Sequence, residues 1–309
     1  MDIKVENITK SYGPQKAVDR ISFHVKTGEI LGFLGPNGAG KTTTMKMLTN
    51  YLLPEEGNIY IGGRSLLEEA DELKKHIGYL PENNPLYQDM PVIDYLQFCA
   101  EIQEIPREKI EDRIREMVRV CGLNQEKHKK IGELSKGYRQ RVGLAQAMIH
   151  EPEILILDEP TTGLDPNQII EIRKLIRELG REKTVILSTH IMQEVEATCD
   201  RILIINKGQI VADGTAESLS KQVQGQELLH VKIEDGDPNE IYKALQQLPA
   251  VALVDFMDRK QNRFEIQSKP EMSSRREIFR LCMEKGWVMT EMIPVETKLE
   301  DIFRELTMN

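Results

Sequence analysis

The chain has 309 residues, of which 40% are hydrophobic, 29% charged and 5% aromatic. That length holds two domains of ordinary size, with soluble surfaces and aliphatic cores. A formal net charge of −9 speaks against nucleic acid as a partner, because phosphate backbones demand a basic face, whereas a nucleotide needs only a local pocket.

The chain opens on Met1-Asp2-Ile3-Lys4-Val5-Glu6, where charged and apolar residues alternate and no apolar h-region marks a signal peptide. Residues 3–8 and 21–25 alternate as half-buried strands do. After the turn at Thr27-Gly28-Glu29, the apolar run 30–34 reads as a buried strand. A glycine-rich loop follows, and then a helix over about 41–50. Residues 69–162 begin as a helix-rich region, in which Ile110, Ile114, Met117, Val118 and Cys121 recur at helical spacing. A second helix follows the turn Ser135-Lys136-Gly137. Residues 154–157 form another buried strand, ending at Asp158-Glu159. Asp165 caps a helix whose first position is Pro166, a strong start signal. Residues 184–188 and 202–205 are strands, and Lys207-Gly208-Gln209 is a hairpin turn. Strands alternating with helices imply a largely parallel sheet with small antiparallel edge strands, an α/β fold.

Beyond Gly214 the pattern changes. Residues 216–223 read as a polar helix and linker. Strand 227–233, helix 240–248, strands 251–257 and 263–267, helix 275–285 and strand 287–293 follow. This β-α-β-β-α-β order is ferredoxin-like, an α+β domain, with Trp287 in its core and a last helix over 299–306. The expected domains are therefore 1–220, with a helical subdomain at about 83–150, and 221–309. Cys99, Cys121, Cys199 and Cys282 lie far apart, with no CxxC and no histidine at metal spacing. They read as reduced thiols of a cytosolic protein that carries no covalent metal cluster. No apolar run approaches the ~18 residues of a membrane span, so any membrane role needs a separate partner chain.

Chemistry concentrates in two places. Gly35-Pro36-Asn37-Gly38-Ala39-Gly40-Lys41-Thr42 fills the pattern G-x-x-x-x-G-K-[ST] between an expected strand and an expected helix, the context that marks a P-loop. Its backbone N–H groups and the following helix end form an anion nest. Lys41 is placed to reach the β- and γ-phosphates, the Thr42 hydroxyl to ligate Mg²⁺, and Thr43 to add a phosphate contact. A P-loop alone leaves kinases, GTPases and many ATPases open. Leu157-Asp158 at the end of a buried strand narrows the field. Asp158 is expected in the Mg²⁺ shell, and Glu159, emerging beside it, as general base for the attacking water.

Leu134-Ser135-Lys136-Gly137-Tyr138 resembles the ABC signature, normally LSGGQ. With the P-loop, Leu157-Asp158-Glu159-Pro160, Gly163-Leu164-Asp165-Pro166 and His190, residues 1–215 resemble an ABC ATPase throughout. The run LSKGYRQR and the extra C-terminal domain resemble the subunits that drive ABC-2 exporters. Residues 137–168 look most like the gliding-motility-associated ATPase of that group. The resemblance implies a head-to-tail homodimer in which Ser135 and Gly137 of one copy cap the ATP held by the other. It also implies adenine stacking by Tyr12, a switch role for His190, and an Asp165 that reaches across the dimer. A separate ABC-2 permease at the inner face of the cell membrane completes the transporter. The residues 84–87 and the helical region are expected to meet it. Two departures stand out. Lys136 replaces a signature glycine, and Glu82 stands where the family places a glutamine, adding a charge near the metal as a hard oxygen ligand. An ABC ATPase acting on ribosomes or DNA is the alternative, but tandem cassettes and a coiled-coil insertion are missing from this sequence. A regulator that merely binds ATP would have no use for Glu159 and His190.

Overall fold

The computed structural model describes residues 1–223, 227–270, 272–294, 303 and 307. The chain divides into two compact units between Ala216 and Glu217. The first unit carries, in order, β1 (Ile3–Tyr12), β2 (Gln15–Val25), β3 (Ile30–Leu34), α1 (Lys41–Leu48), β4 (Glu56–Ile61), β5 (Arg64–Ser65), α2 (Ala70–Leu73) and β6 (Ile77–Leu80). There follow α3 (Val92–Ile102), α4 (Arg107–Val120), α5 (Lys136–Met148), β7 (Ile154–Asp158), α6 (Pro166–Leu179), β8 (Thr184–Thr189), α7 (Met192–Thr198), β9 (Arg201–Asn206) and β10 (Gln209–Gly214).

A six-stranded sheet runs β10-β9-β3-β8-β7-β6. Four of its five pairings are parallel, and at the edge β10 is antiparallel to β9. β3, β7 and β8 are buried at every position, as strands covered on both faces must be. A second, antiparallel sheet in the order β2-β1-β4-β5 lies over it. One aliphatic core joins the two: Ile3, Ile8, Phe23 and Ile59 pack with Leu31, Phe33, Ile156 and Ile186, and α1 adds Met45 and Leu48.

β1 and β2 reach further than their apolar alternation implies. The hairpin turns at Gly13, φ +59°, and pairs Lys10 with Val18, Ser11 with Lys16 and Tyr12 with Gln15. Backbone pairing thus carries polar residues into the sheet and sets Tyr12 at its tip. Three strands, β4, β5 and β6, come in addition to those expected from the sequence. In the helical region α4 buries Ile110, Ile114, Met117 and Val118, the residues set apart by their spacing.

The second unit follows α8 (Ala216–Val223) with β11 (Leu228–Glu234), α9 (Pro238–Gln246), β12 (Val251–Asp258), β13 (Arg263–Ser268), α10 (Arg275–Lys285) and β14 (Val288–Pro294). Its antiparallel sheet has the order β12-β13-β11-β14, that of a ferredoxin-like βαββαβ domain. Leu229, Val231, Phe264 and Ile266 pack there against Ile241, Leu245, Ile278 and Trp287. The helix expected over 299–306 lies outside the described residues, Phe303 apart. All four cysteines are free thiols, and burial pushes Cys121 up to about 12. No helix of the described residues is long and apolar enough to cross a membrane.

Candidate nucleotide site

The phosphate cradle follows from backbone geometry. Gly40 caps α1 with φ +110°, a conformation closed to other residues, and a Cβ there would run into the Ala17 carbonyl. No side chain caps α1, and its first turn carries no acid, so its leading N–H groups are open to an anion. Lys41 is only 6% exposed. Its ammonium donates to the carbonyls of Gly35 at 2.8 Å and Pro36 at 3.3 Å, and stands 3.4 Å from Glu159 Oε1.

β7 and β8 bring the acids to that cradle. Their parallel register sets Asp158 beside Ser188. Asp158 is fully buried. Its Oδ1 accepts from Thr42 Oγ1 at 3.3 Å and from Ser188 Oγ at 2.5 Å, while Oδ2 is buried with no partner. Burial pushes the Asp158 carboxyl above the usual range, the two hydroxyls pull it back, and the charges of Glu82 and Glu159 add to the rise. A buried oxygen lacking a partner, next to a threonine hydroxyl, fits a hard divalent cation.

Glu159 turns out of the strand with φ +50°, a left-handed backbone that costs a non-glycine residue about 1–3 kcal/mol. Its N–H is held by both the carbonyl and the hydroxyl of Ser188, each at 3.1 Å. The strained turn aims a nearly buried carboxylate back over the P-loop. There it accepts from Thr162 Oγ1 at 3.1 Å and lies 3.0 Å from His190 Nδ1. Behind it, Glu194, 2% exposed, accepts from Thr161 at 2.6 Å and from Thr189 at 2.7 Å. One buried carboxylate thus ties the loop after Glu159 to the strand end before His190. Ser188, Thr162 and Glu194 were not marked by the sequence. For Ser188 the available signal was its place at the end of the strand following Asp158.

A cavity of about 530 Å³ gathers these groups. Tyr12, Gln15 and Ala17 of the hairpin line one side, and Asn37, Gly38, Gly40, Lys41, Thr42 and Thr43 the floor. Glu82, Glu159, Thr162 and His190 complete it. Tyr12 is half exposed, its ring available to a flat ligand. Gly35 and Pro36 support Lys41 from behind, and Ala39 is buried beneath the loop. A wider groove, about 690 Å³, lies over α3 and α4 and contains none of the expected site residues.

Ser135, Gly137 and Asp165 are placed differently. Ser135 caps α5, accepting from the Tyr138 N–H at 3.4 Å. Asp165 caps α6, accepting from the Gln168 N–H at 2.9 Å, with the Gln168 side chain accepting in return from the Asp165 N–H. Gly137 lies against that Gln168 side chain with no room for a Cβ. Ser135 and Asp165 are exposed helix caps, Gly137 is buried under Gln168, and none of the three lines the cavity.

A P-loop closed on an uncapped helix end, two acids at the end of the adjoining strand and a histidine at the end of the next define a P-loop ATPase. The chain belongs to the ABC transporter family of ATP-binding proteins. The ABC transporter family model matches residues 18–162, and an AAA domain model matches residues 130–196. The ABC transporter ATP-binding protein YxlF of Bacillus subtilis (strain 168) is 34% identical over 97% of this chain and 98% of its own. The bacitracin transport ATP-binding protein BcrA of Bacillus licheniformis is 34% identical over 98% of this chain and 96% of its own. The solved structure of CbiO1 from Clostridium perfringens, part of the transporter complex CbiONQ, is 28% identical over 80% of this chain and 95% of its own, with a TM-score of 0.65. The protein is an ATP-binding subunit of an ABC transporter, and an ATPase.

Proposed function

We propose that this chain powers an ABC-2 type exporter as one of two identical copies, each completing the other's ATP site head to tail. One observation carries the reading. The cavity gathers Tyr12, the P-loop with Lys41 and Thr42, Glu159 and His190, while the helix caps Ser135 and Asp165 are exposed outside it. A second copy is what can bring those caps over the cavity.

In this reading each residue has a role. Tyr12 stacks on adenine, the N–H groups of 37–43 and the Lys41 ammonium hold the phosphates, and Ser135 with Gly137 of the second copy caps the γ-phosphate. Asp165 reaches across to the opposite site. Thr42 and Asp158, with Glu82 as a third oxygen donor, would hold Mg²⁺, which supplies neutralising charge as the phosphoryl group departs. Glu159 takes the proton of the attacking water, and His190, at 3.0 Å, orients that carboxylate and contacts the γ-phosphate. ATP binding closes the pair and hydrolysis to ADP and phosphate reopens it, so the work is done by differential binding to the closed state.

A permease has a place to dock. A groove of about 420 Å³ is lined by Pro85, Tyr87, Tyr95, Phe98 and Ile102 among others. Tyr87 is 55% and Ile102 62% exposed, an aromatic and aliphatic surface suited to a short amphipathic segment. That docking would hold the chain at the inner face of the membrane. The bacitracin transport relative, matched along nearly its whole length, supports transport, and a Nod factor export ATP-binding protein, 35% identical over 74% of this chain, supports export. The finer resemblance to the gliding-motility ATPase rests on residues 137–168 and is tested by the identity of the permease.

The experiment is recovery of the tagged chain from detergent-solubilised membranes. An ABC-2 permease is expected to come with it, and Tyr87→Asp with Ile102→Asp is expected to release that permease while leaving the ATPase activity of the isolated chain in place. Recovery with ribosomes or DNA instead, or groove variants that hold the permease as before, would overturn the reading.

A further inference from the structure

Two charges flank the parts of this proposed site. Glu82 is exposed at the rim of the nucleotide cavity and makes no hydrogen bond or ion pair with the described residues. Lys136, at the first position of α5 beside the Ser135 cap, is also exposed and also makes none. Its ammonium lies against the backbone of Gly163, the glycine two residues before Asp165, with no room between them for a Cβ. The cation therefore sits beside the Ser135 cap and against the turn that leads to Asp165.

The cavity has a surplus of the opposite sign. Glu82 and Glu159 line it and Asp158 lies behind Thr42, against one lysine, Lys41, and His190. A triphosphate brings further negative charge into the same space.

We propose that Lys136 of one copy offsets Glu82 of the other across the nucleotide, a charge pair formed only in the closed dimer and worth about tenfold in the ATP concentration that closes it. Partly buried opposite charges interact well above their value in bulk water, and removing one leaves the other without compensation. The pair also makes closure selective, since each charge repels or ignores a partner lacking its complement. This rests on the head-to-tail reading above. It adds to that reading Lys136 as a positioning residue and, for Glu82, a second role beside the metal.

The test is a double-mutant cycle in the full chain carrying Glu159→Gln, which holds ATP without turning it over. The ATP·Mg²⁺ concentration giving half-maximal dimer is measured by sedimentation velocity for the parent, Glu82→Gln, Lys136→Gly and the double variant. Lys136→Gly is expected to raise that concentration about tenfold in the parent and little when Glu82 is Gln, with Lys136→Arg restoring the parent value; a tenfold coupling is about 1.4 kcal/mol. The coupling is expected to shrink at high salt. Equal losses in both backgrounds overturn the charge pair and leave the composite site intact. A parent that never dimerises with ATP overturns both.

Discussion

Ser188→Ala isolates the hydroxyl that fastens both acids. In the intact chain this buried side chain donates to Asp158 Oδ1 and accepts from the Glu159 N–H. Its removal does not orphan that N–H, which keeps the Ser188 carbonyl at 3.1 Å. Asp158 fares worse, left with Thr42 as its one donor at 3.3 Å and a second oxygen already unpartnered. A hydrogen bond to a charged group is worth about 1.5–3 kcal/mol, so the variant is expected to lose about 2 kcal/mol. For a unit of this size that lowers Tm by about 4–8 °C, at roughly 2–4 °C per kcal/mol. The loss has a pH signature. Asp158 has a folded pKa above its ordinary value, and losing Ser188 raises it further. The destabilisation is therefore largest where the carboxyl is charged in both proteins and shrinks as the pH falls and it protonates in the fold. Thermal unfolding followed by circular dichroism at pH 7.5 and pH 5 measures both. A Tm within about 1 °C of the parent at pH 7.5, or a larger loss at pH 5 than at pH 7.5, would refute the reasoning.

Three further outcomes are expected. Glu159→Gln keeps ATP affinity and slows hydrolysis by about 10²–10⁴-fold, read as phosphate release under saturating ATP; an unchanged rate dismisses it as the base. Lys41→Ala loses ATP affinity by about 10-fold or more, measured by fluorescent-nucleotide titration, since it removes the one ammonium reaching the phosphates; unchanged affinity refutes the phosphate assignment. Asp158→Asn raises the Tm of the nucleotide-free chain at neutral pH while abolishing Mg²⁺-dependent hydrolysis. Burial raises this carboxyl, so its charged form destabilises the fold above pH 3.8 increasingly until the raised pKa is passed. A lower Tm for Asp158→Asn contradicts that sign.

The site was legible where its chemistry is local. The P-loop is a single run of eight residues, and Asp158-Glu159 ends an apolar strand that announces itself. Asp165 and Pro166 mark a helix start by rules of the first turn alone. What escaped depends on non-local pairing. β6 is four residues, with Gly78 inside it, and exists by lying beside β7. Gly78 has its place there because a Cβ would meet the Ala147 carbonyl and Leu155, a crowding no local pattern shows. Ser188 matters through register, since a parallel pairing shifted by one residue would turn its hydroxyl to the other face. Glu194 reads as one acid among many on a short amphipathic helix. Only the fold sets it between Thr161 and Thr189, buried and doubly hydrogen-bonded.

The measurement that bears most directly on the composite site is complementation between two defective chains, each also carrying Glu159→Gln. One has Lys41→Ala and cannot hold ATP; the other has Ser135→Arg and cannot cap it. Neither is expected to dimerise alone in ATP and Mg²⁺. An equal mixture is expected to form a dimer that retains one ATP, because the intact cavity of one chain meets the intact capping surface of the other. A mixture that stays monomeric while the Glu159→Gln parent dimerises, or a mixed dimer holding two ATP molecules, would contradict the account.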